Sequence, residues 1–256
     1  MLKFCVRVAP RGLYTSGRGS TAAGLTAAVV RDTNGIFMLE AGATVLGDQG
    51  LVCIDEFDKM KAEDRSALHE VMEQQTASIS KGGIVATLNA RTSILAAANP
   101  MFGKYDPFKN ITENVNLPVP LLTRFDLIFV VRDKPSKERD TQIAKHIINL
   151  HTPSGIDKKS QIDSETLTKY LAYVKRINPI LTKEAEEKIL DYYMKMRNVE
   201  AEEMITVTPR QLEGLIRLAT ARARLLMKTQ VEGDDAQRAI DLLQSMFEDA
   251  GIDVIT

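Results

Sequence analysis

The sequence predicts an α/β core over residues 1–135, followed by an all-helical domain over residues 136–256. Three observations support this division. Short apolar runs that end in polar residues, typical of buried parallel strands, occur in the first half of the chain. Turns containing glycine separate alternating segments there, which indicates hairpins inserted into the core. From Pro135 onward the segments have helical spacing, and the charged stretch RDKPSKER (132–139) marks the boundary.

Four strands of a parallel sheet are predicted in the core. They are GLYTSG (12–17), LVCIDE (51–56), SILAAANP (93–100) and RFDLIFVVRD (124–133). Two hairpins accompany them, one around Asn34-Gly35 and one around the Gly-Gly pair of segment 78–91, because such dipeptides between apolar or alternating residues favour tight turns. A helix with apolar residues on one face is predicted over 61–75.

The second half is predicted to contain five helices. They cover approximately 136–151, 163–176, 182–197, 208–228 and 232–249. Thr208 followed by Pro209 fits the N-cap and first position of the fourth helix, because threonine caps the free amides and proline needs no hydrogen bond there.

Composition excludes some functional classes and leaves others open. The net charge is −1, so the bulk charge gives no support for nucleic-acid binding, although a few well-placed cations suffice for it. No apolar run approaches the roughly 18 residues of a membrane span. Cys5 and Cys53 lie in apolar stretches without CxxC spacing, which predicts buried reduced thiols rather than a metal site.

Two adjacent carboxylates, Asp55 and Glu56, follow the apolar run Leu51–Ile54. Acids at the carboxyl end of a buried strand are typical of metal-assisted phosphoryl transfer, in which one holds magnesium and the other polarises the attacking water. An isolated pair is equally typical of a solvated strand end, so its surroundings decide. The nearest match to a phosphate-binding loop, GLYTSGRG (12–19), lacks the lysine and the hydroxyl of that motif and is better interpreted as a strand and a turn.

These surroundings resemble the MCM family, the ring-forming replicative DNA helicases of archaea and eukaryotes. Seven segments carry the resemblance in the order found in the family. They are RVAPRGLYTSGRGSTAAGLTAAVVRD (7–32), LEAGATVLGDQG (39–50), IDEFDKM (54–60), HEVMEQQTASISKGGIVATLNAR (69–91), AAANP (96–100), LLTRFDLIF (121–129) and TPRQLEGLIRLA (208–219). Their wording looks archaeal, and they cover nearly the whole chain.

The resemblance implies an AAA+ P-loop-type core with a helical lid domain, and ATP and magnesium as cofactors. In the family the P-loop and the central strand before it precede the segment that matches MLKF (1–4). The chain is therefore expected to be a fragment truncated just after the P-loop. Because a missing central strand leaves backbone groups unpaired, the chain alone is expected to fold poorly. Because the P-loop is missing, the chain alone is also expected to show no ATPase activity.

The resemblance also implies roles for five residues. Asp55 would coordinate magnesium, Glu56 would activate water, and Asn99 would be a sensor that helps to hold this water. Arg124 would be an arginine finger and Arg210 a second sensor, both acting across a subunit interface. From the residues alone, Asn99 is equally a turn initiator before proline, Arg124 a charged strand start, and Arg210 an exposed arginine in the first turn of a helix.

The resemblance implies DNA as the partner, bound within a ring of identical or full-length MCM subunits that is a hexamer in the family's manner. Lys81 beside the Gly-Gly turn would contact DNA in the ring channel, and Arg31 beside the first hairpin is a second candidate. Without the resemblance, Lys81 would be an edge-protecting lysine and Arg31 a solvated one. No membrane is implied, and the expected location is the cytoplasm with the nucleoid for an archaeal protein, or the nucleus for a eukaryotic one.

Two alternatives to a helicase fragment remain open at this point. The chain could be a non-enzymatic MCM-like subunit without its own P-loop, lending Arg124 and Arg210 to a full-length neighbour. It could also belong to a related AAA+ machine that acts on something other than DNA, although the MEQQ and LNAR segments disfavour that interpretation.

Overall fold

The elements of the chain fall into the two groups that the sequence predicts. A computed structural model describes residues 1–106, 109, 111–132, 135–151, 162–198 and 208–250. In chain order the elements of the core are α1 (Leu2–Val8), β1 (Gly12–Ser16), α2 (Ala22–Leu25), β2 (Ala27–Arg31), β3 (Phe37–Ala41), α3 (Ala43–Leu46), β4 (Leu51–Asp55), α4 (Ala62–Gln74), β5 (Thr76–Lys81), β6 (Ile84–Asn89), β7 (Ser93–Ala96), α5 (Ile111–Val115) and α6 (Val119–Leu122). The elements after the core are α7 (Lys137–Leu150), α8 (Ser164–Val174), β8 (Ile180–Leu181), α9 (Lys183–Asn198), α10 (Pro209–Leu225), β9 (Gln230–Val231) and α11 (Gly233–Ala250).

The centre of the core is a parallel sheet with the strand order β1, β4, β7. Strand β4 pairs on both sides, and its apolar run leaves Val52, Cys53 and Ile54 without exposed surface, as expected of a strand covered on both faces. Phe57 and Leu68 pack against it. The predicted burial of the cysteines is confirmed for Cys53 and is wrong for Cys5, which is half-buried on the short helix α1.

Both predicted hairpins are present. Strands β5 and β6 pair antiparallel up to Lys81 and Ile84, and the two glycines between them have φ angles of +61° and +79°. Positive φ at both central residues is what a tight type I′ turn requires. The β2–β3 hairpin has a longer turn than its Asn-Gly pair suggests, because the Asp32 N–H donates to the Ile36 carbonyl at 2.9 Å.

One predicted strand is absent. Residues 127–132 of the segment RFDLIFVVRD form no strand, and within the described part of the chain this segment pairs with no other strand. Its apolar residues pack elsewhere: Leu127 and Ile128 lie against the core of the helical domain, and the Ile128 N–H donates to Met246 Sδ at 3.1 Å. An apolar run becomes a strand only where a neighbouring backbone completes its hydrogen bonds.

The helical domain has the five predicted helices, α7 to α11, and the predicted cap of α10. Thr208 is its N-cap, Pro209 its first residue, and Gln211 completes a capping box. The domain is not purely helical, which corrects the prediction. Strands β8 and β9 form a short parallel pair in which Ile180 lies opposite Gln230, and two residues are too short to give a periodic signal in the sequence.

A buried carboxylate stabilises the start of α11. Asp235 has no exposed surface and accepts from the Glu232 N–H and from Lys228 Nζ, each at 3.0 Å, and from the guanidinium of Arg222. Burial alone would raise the pKa of Asp235, but the Glu232 N–H and the two cations together lower it. Arg222 also pairs with the exposed Asp234 at 2.7 Å.

We expect Asp235→Ala to lower the free energy of unfolding by about 3–5 kcal/mol, because it leaves two partly buried cations without their shared anion. The matched change Asp234→Ala removes an exposed partner of the same arginine and is expected to cost less than about 1 kcal/mol. Urea denaturation followed by circular dichroism measures both variants, and equal losses would contradict the argument.

Candidate functional site

The predicted carboxylate pair lies at the carboxyl end of the central strand. Asp55 is the last residue of β4 and accepts two hydrogen bonds at 2.9 Å, one from the hydroxyl of Tyr14 on β1 and one from the Glu56 N–H. The hydrogen bond to Asp55 raises the pKa of Tyr14 above its ordinary value, so the phenol remains a donor. These contacts fix both oxygens of Asp55.

Glu56 adopts an unusual backbone conformation immediately after Asp55. Its φ and ψ are 49° and 42°, in the left-handed region that side chains rarely adopt. The hydroxyl of Ser16 donates to Glu56 Oε2 at 3.1 Å. Gly17 allows β1 to approach closely, because a Cβ there would lie 2.5 Å from the Glu56 carbonyl oxygen. Strain of this kind persists only where the surroundings hold it, which is common at functional sites.

Asn99 is held at the same edge of the sheet. Beyond β7, the Ala97 N–H donates to the Ile54 carbonyl and the Ala97 carbonyl accepts from the Phe57 N–H, both at 2.9 Å. The Asn99 N–H then donates at 3.0 Å to the carboxylate of Asp58, in the short 3₁₀ turn that follows Glu56. The structure therefore ties Asn99 to the turn that follows the carboxylate pair, through the backbone of Ala97 and the side chain of Asp58.

Asp58 is a site residue that the sequence reasoning missed. Its side chain is only 5% exposed although it also pairs with Lys59. Burial alone would raise the pKa of Asp58, but the Asn99 N–H and Lys59 together lower it, so the carboxylate is ionised. An acid two residues after Glu56 in a turn that follows a strand is a signal for such a backbone contact.

The two arginines predicted to act across an interface share one carboxylate. On α4, Glu73 pairs through Oε2 with Arg124 and through Oε1 with Arg210, the latter at 3.5 Å. Hydrogen bonding from Arg124 is the largest cause of the lowered pKa of Glu73. Arg124 and Arg210 are distant in the chain, so the structure brings them together. Among the described contacts neither arginine pairs with Asp55 or Glu56.

The two candidate DNA-binding residues lie on the hairpins. Lys81 is the exposed last residue of β5 and directly precedes the Gly82-Gly83 turn. Arg31 is the last residue of β2, and its guanidinium lies 4.6 Å from the centre of the Phe37 ring, so it is stacked rather than freely solvated. Among the described residues, neither Lys81 nor Arg31 forms a hydrogen bond or ion pair with Asp55 or Glu56.

The acidic edge fits part of a magnesium–nucleotide site. Magnesium is usually bound by one or two carboxylates together with waters and phosphate oxygens, and Asp55 offers such a carboxylate. Within the described residues no group of three or more histidine, cysteine, aspartate or glutamate side chains could hold a metal alone. The segment closest to a phosphate loop forms β1 and a turn, as predicted, and therefore provides no phosphate cradle.

A parallel sheet with paired acids at its carboxyl edge, followed by a helical domain, is the arrangement expected of an AAA+ core and its lid. The family model described as the MCM P-loop domain matches residues 1–151, and the model described as the MCM AAA-lid domain matches residues 165–247. The chain belongs to the MCM family, which confirms the resemblance seen in the sequence.

Curated relatives support the same assignment. The chain is 50% identical to the minichromosome maintenance protein MCM of Saccharolobus solfataricus over 99% of its length and 37% of that protein. It is 47% identical to the DNA replication licensing factor MCM4 of Arabidopsis thaliana, covering all of the chain and 31% of the relative. It is 43% identical to the DNA replication licensing factor mcm5-A of Xenopus laevis, and the match covers 98% of the chain and 36% of that relative. The chain thus spans about a third of each of these relatives.

Among the described residues, none of the helices combines the length and the apolar character that crossing a bilayer needs.

We expect Asp58→Ala to speed hydrogen exchange at the Asn99 amide about tenfold or more, because the N–H loses its charged acceptor. Lys59→Ala is the matched control, since it removes the exposed partner of Asp58 and leaves the contact with Asn99 in place. Exchange mass spectrometry measures both. An unchanged rate in Asp58→Ala would show that Asp58 does not hold Asn99.

Proposed function

We propose that this chain is the ATPase and lid part of an MCM-type DNA helicase, which hydrolyses ATP in a ring to unwind duplex DNA at replication. The observation that carries the proposal is that the candidate residues form two sets, with no described hydrogen bond or ion pair between the sets. Asp55, Glu56 and Asn99 share one edge of the sheet, whereas Arg124 and Arg210 meet at Glu73. A ring of identical subunits needs such halves on different surfaces of each subunit.

The acidic half supplies the hydrolytic groups. Asp55 would hold magnesium, which would supply positive charge to neutralise phosphate oxygens. Glu56 accepts the proton of the attacking water, and Asn99 orients that water. The hydroxyl of Tyr14 orients the carboxylate of Asp55, and the hydroxyl of Ser16 orients that of Glu56. A positioned general base contributes about 10²–10⁴ to a rate.

The basic half acts on the nucleotide of the neighbouring subunit. Arg124 is the arginine finger and Arg210 the second sensor, and an arginine finger is worth about 10³–10⁵ in rate. Their side chains are 17% and 26% exposed, so they are partly desolvated already. This half needs a ring, which we propose is a hexamer of MCM subunits.

Lys81 is proposed to contact the DNA backbone in the channel of the ring, and Arg31 is the second candidate on the neighbouring hairpin. A single lysine–phosphate contact is weak, but a ring repeats it once in each subunit and so multiplies its effect. This arrangement accounts for DNA binding by a chain whose net charge is only −1.

A second candidate function has one observation in its favour. The segment closest to a P-loop is a strand and a turn, so the described residues give no cradle for this chain's own nucleotide. In this alternative the chain is a non-enzymatic subunit that lends Arg124 and Arg210 to a full-length neighbour. In both cases the isolated 256 residues are proposed to be inactive as an ATPase.

The intact mass of the endogenous gene product separates the two functions. We would capture it with an antibody against the helical domain. A mass well above 28.4 kDa supports the helicase, with these residues as one part of it. A mass of 28.4 kDa supports the non-enzymatic subunit, and the search then turns to the full-length relative that its arginines serve.

In a gene product with ATPase activity, we expect Glu56→Gln to lower kcat at least about 100-fold, because the water loses its general base. Nucleotide affinity is expected to stay within about twofold, because Asp55 still holds magnesium. Steady-state turnover and equilibrium binding measure the two effects. Glu63→Gln removes an exposed acid of α4 and is the control. A parallel loss of binding in Glu56→Gln would contradict the assigned role.

We expect Arg124→Ala to abolish ATPase activity in the ring without weakening nucleotide binding at its own subunit, because the arginine serves the neighbour. Mixing the variant with wild type should therefore lower the activity by more than the fraction of variant added. Turnover across a mixing series measures this, with the exposed Arg139→Ala as the control. A strictly proportional decline would place Arg124 in its own subunit's site.

A further inference from the structure

The two hairpins of the core touch each other at one aromatic residue. Phe37 on β3 contacts the tip of the β5–β6 hairpin, where a Cβ on Gly82 would lie 3.3 Å from Cδ1 and Cε1 of the ring. The same Cβ would lie 3.3 Å from Cγ1 of Val29 on β2. Gly82 is therefore suited to its place for two reasons: its φ of +61°, and the tightness of this contact.

The ring of Phe37 is also contacted by a residue on β2, the other strand of its own hairpin. It is the cross-strand partner of Arg31, whose guanidinium lies 4.6 Å from the ring centre. Because side chains alternate along a strand, Val29, Arg31 and Phe37 share one face of the first hairpin, while Met38 belongs to the opposite face. The shared face is the one that meets Gly82.

Lys81 depends on this contact because of its place in the turn. It directly precedes Gly82 and pairs with Ile84 as the last rung of the second hairpin. A Gly-Gly tip has more accessible backbone conformations than any other dipeptide, so it does not fix the direction of a neighbouring side chain by itself. The contact with the Phe37 ring restricts that freedom one residue from Lys81.

We propose that Phe37 is a positioning residue that couples the two hairpins, so that Lys81 is presented to DNA in a direction set by the first hairpin. This inference rests on the proposed function, in which Lys81 contacts DNA. Arg31 contributes by holding the ring. Displacement of the first hairpin therefore moves Lys81 with it, and the two hairpins approach a DNA backbone as one unit.

A double-mutant cycle on the endogenous gene product tests the coupling to DNA. The variants are Phe37→Ala, Lys81→Ala and both together, and anisotropy of a fluorescein-labelled single-stranded oligonucleotide reports the Kd at fixed salt. We expect each single change to raise the Kd about 5–10-fold. The Kd of the double variant should be no higher than that of the single variant that binds less tightly. Met38→Ala, which truncates a half-exposed side chain on the opposite face, is expected to leave the Kd unchanged.

Hydrogen exchange at residues 81–84 tests the coupling without DNA. Phe37→Ala should speed exchange there, and Phe37→Tyr, which keeps the ring, should restore both slow exchange and affinity. Independent effects of Phe37→Ala and Lys81→Ala that add in free energy, or unchanged exchange in Phe37→Ala, overturn the proposal. If Lys81→Ala binds DNA normally while Phe37→Ala still speeds exchange, the coupling of the hairpins is supported and the proposed DNA contact of Lys81 is the part that fails.

Discussion

The pairing of β4 with a parallel strand on each side is the interaction on which the rest of the structure depends. The carboxyl ends of parallel strands meet at the same edge of a sheet. The pairing of β1, β4 and β7 therefore brings Ser16, Asp55 and Asn99 to one edge although they are far apart in the chain. The burial of β4 on both faces makes its register hard to change, because a slip along the sheet would disturb its close packing and could draw the charged Asp55 into the core. The position of the carboxylate pair is thus a consequence of core packing.

Sequence patterns predicted the parts of this structure whose signals are local. The apolar run before Asp55, the Gly-Gly pair at 82–83 and the Thr-Pro start of α10 each specify an element by themselves, and all three elements are present. The segment at 124–133 was predicted to be a strand for the same kind of reason. That prediction was wrong because a strand also needs a partner backbone, which no local pattern reports.

The residues of the candidate site also divide into those that have a local sequence signal and those that depend on distant partners. Asp55, Glu56 and Asn99 follow apolar runs, and resemblance supplied roles for them and for both arginines. Ser16 and Glu73 were not predicted because they are polar residues in ordinary local contexts, whereas Asp58 was missed although its place in the turn after Glu56 is a local signal. Their significance lies in what they contact: a backbone amide, a carboxylate and two guanidinium groups. Such partners are visible only when the chain is folded.

The shared carboxylate of Glu73 has a consequence for the assembly of subunits. One anion between two guanidinium groups leaves a single uncompensated positive charge on a surface where both cations are already ordered and partly dehydrated. An approaching polyanion therefore meets side chains whose conformational entropy has been lost before the encounter. Glu73 is the counter-ion that such a ligand would displace, so in the proposed ring the docking of a neighbouring subunit would exchange anions around cations that stay in place.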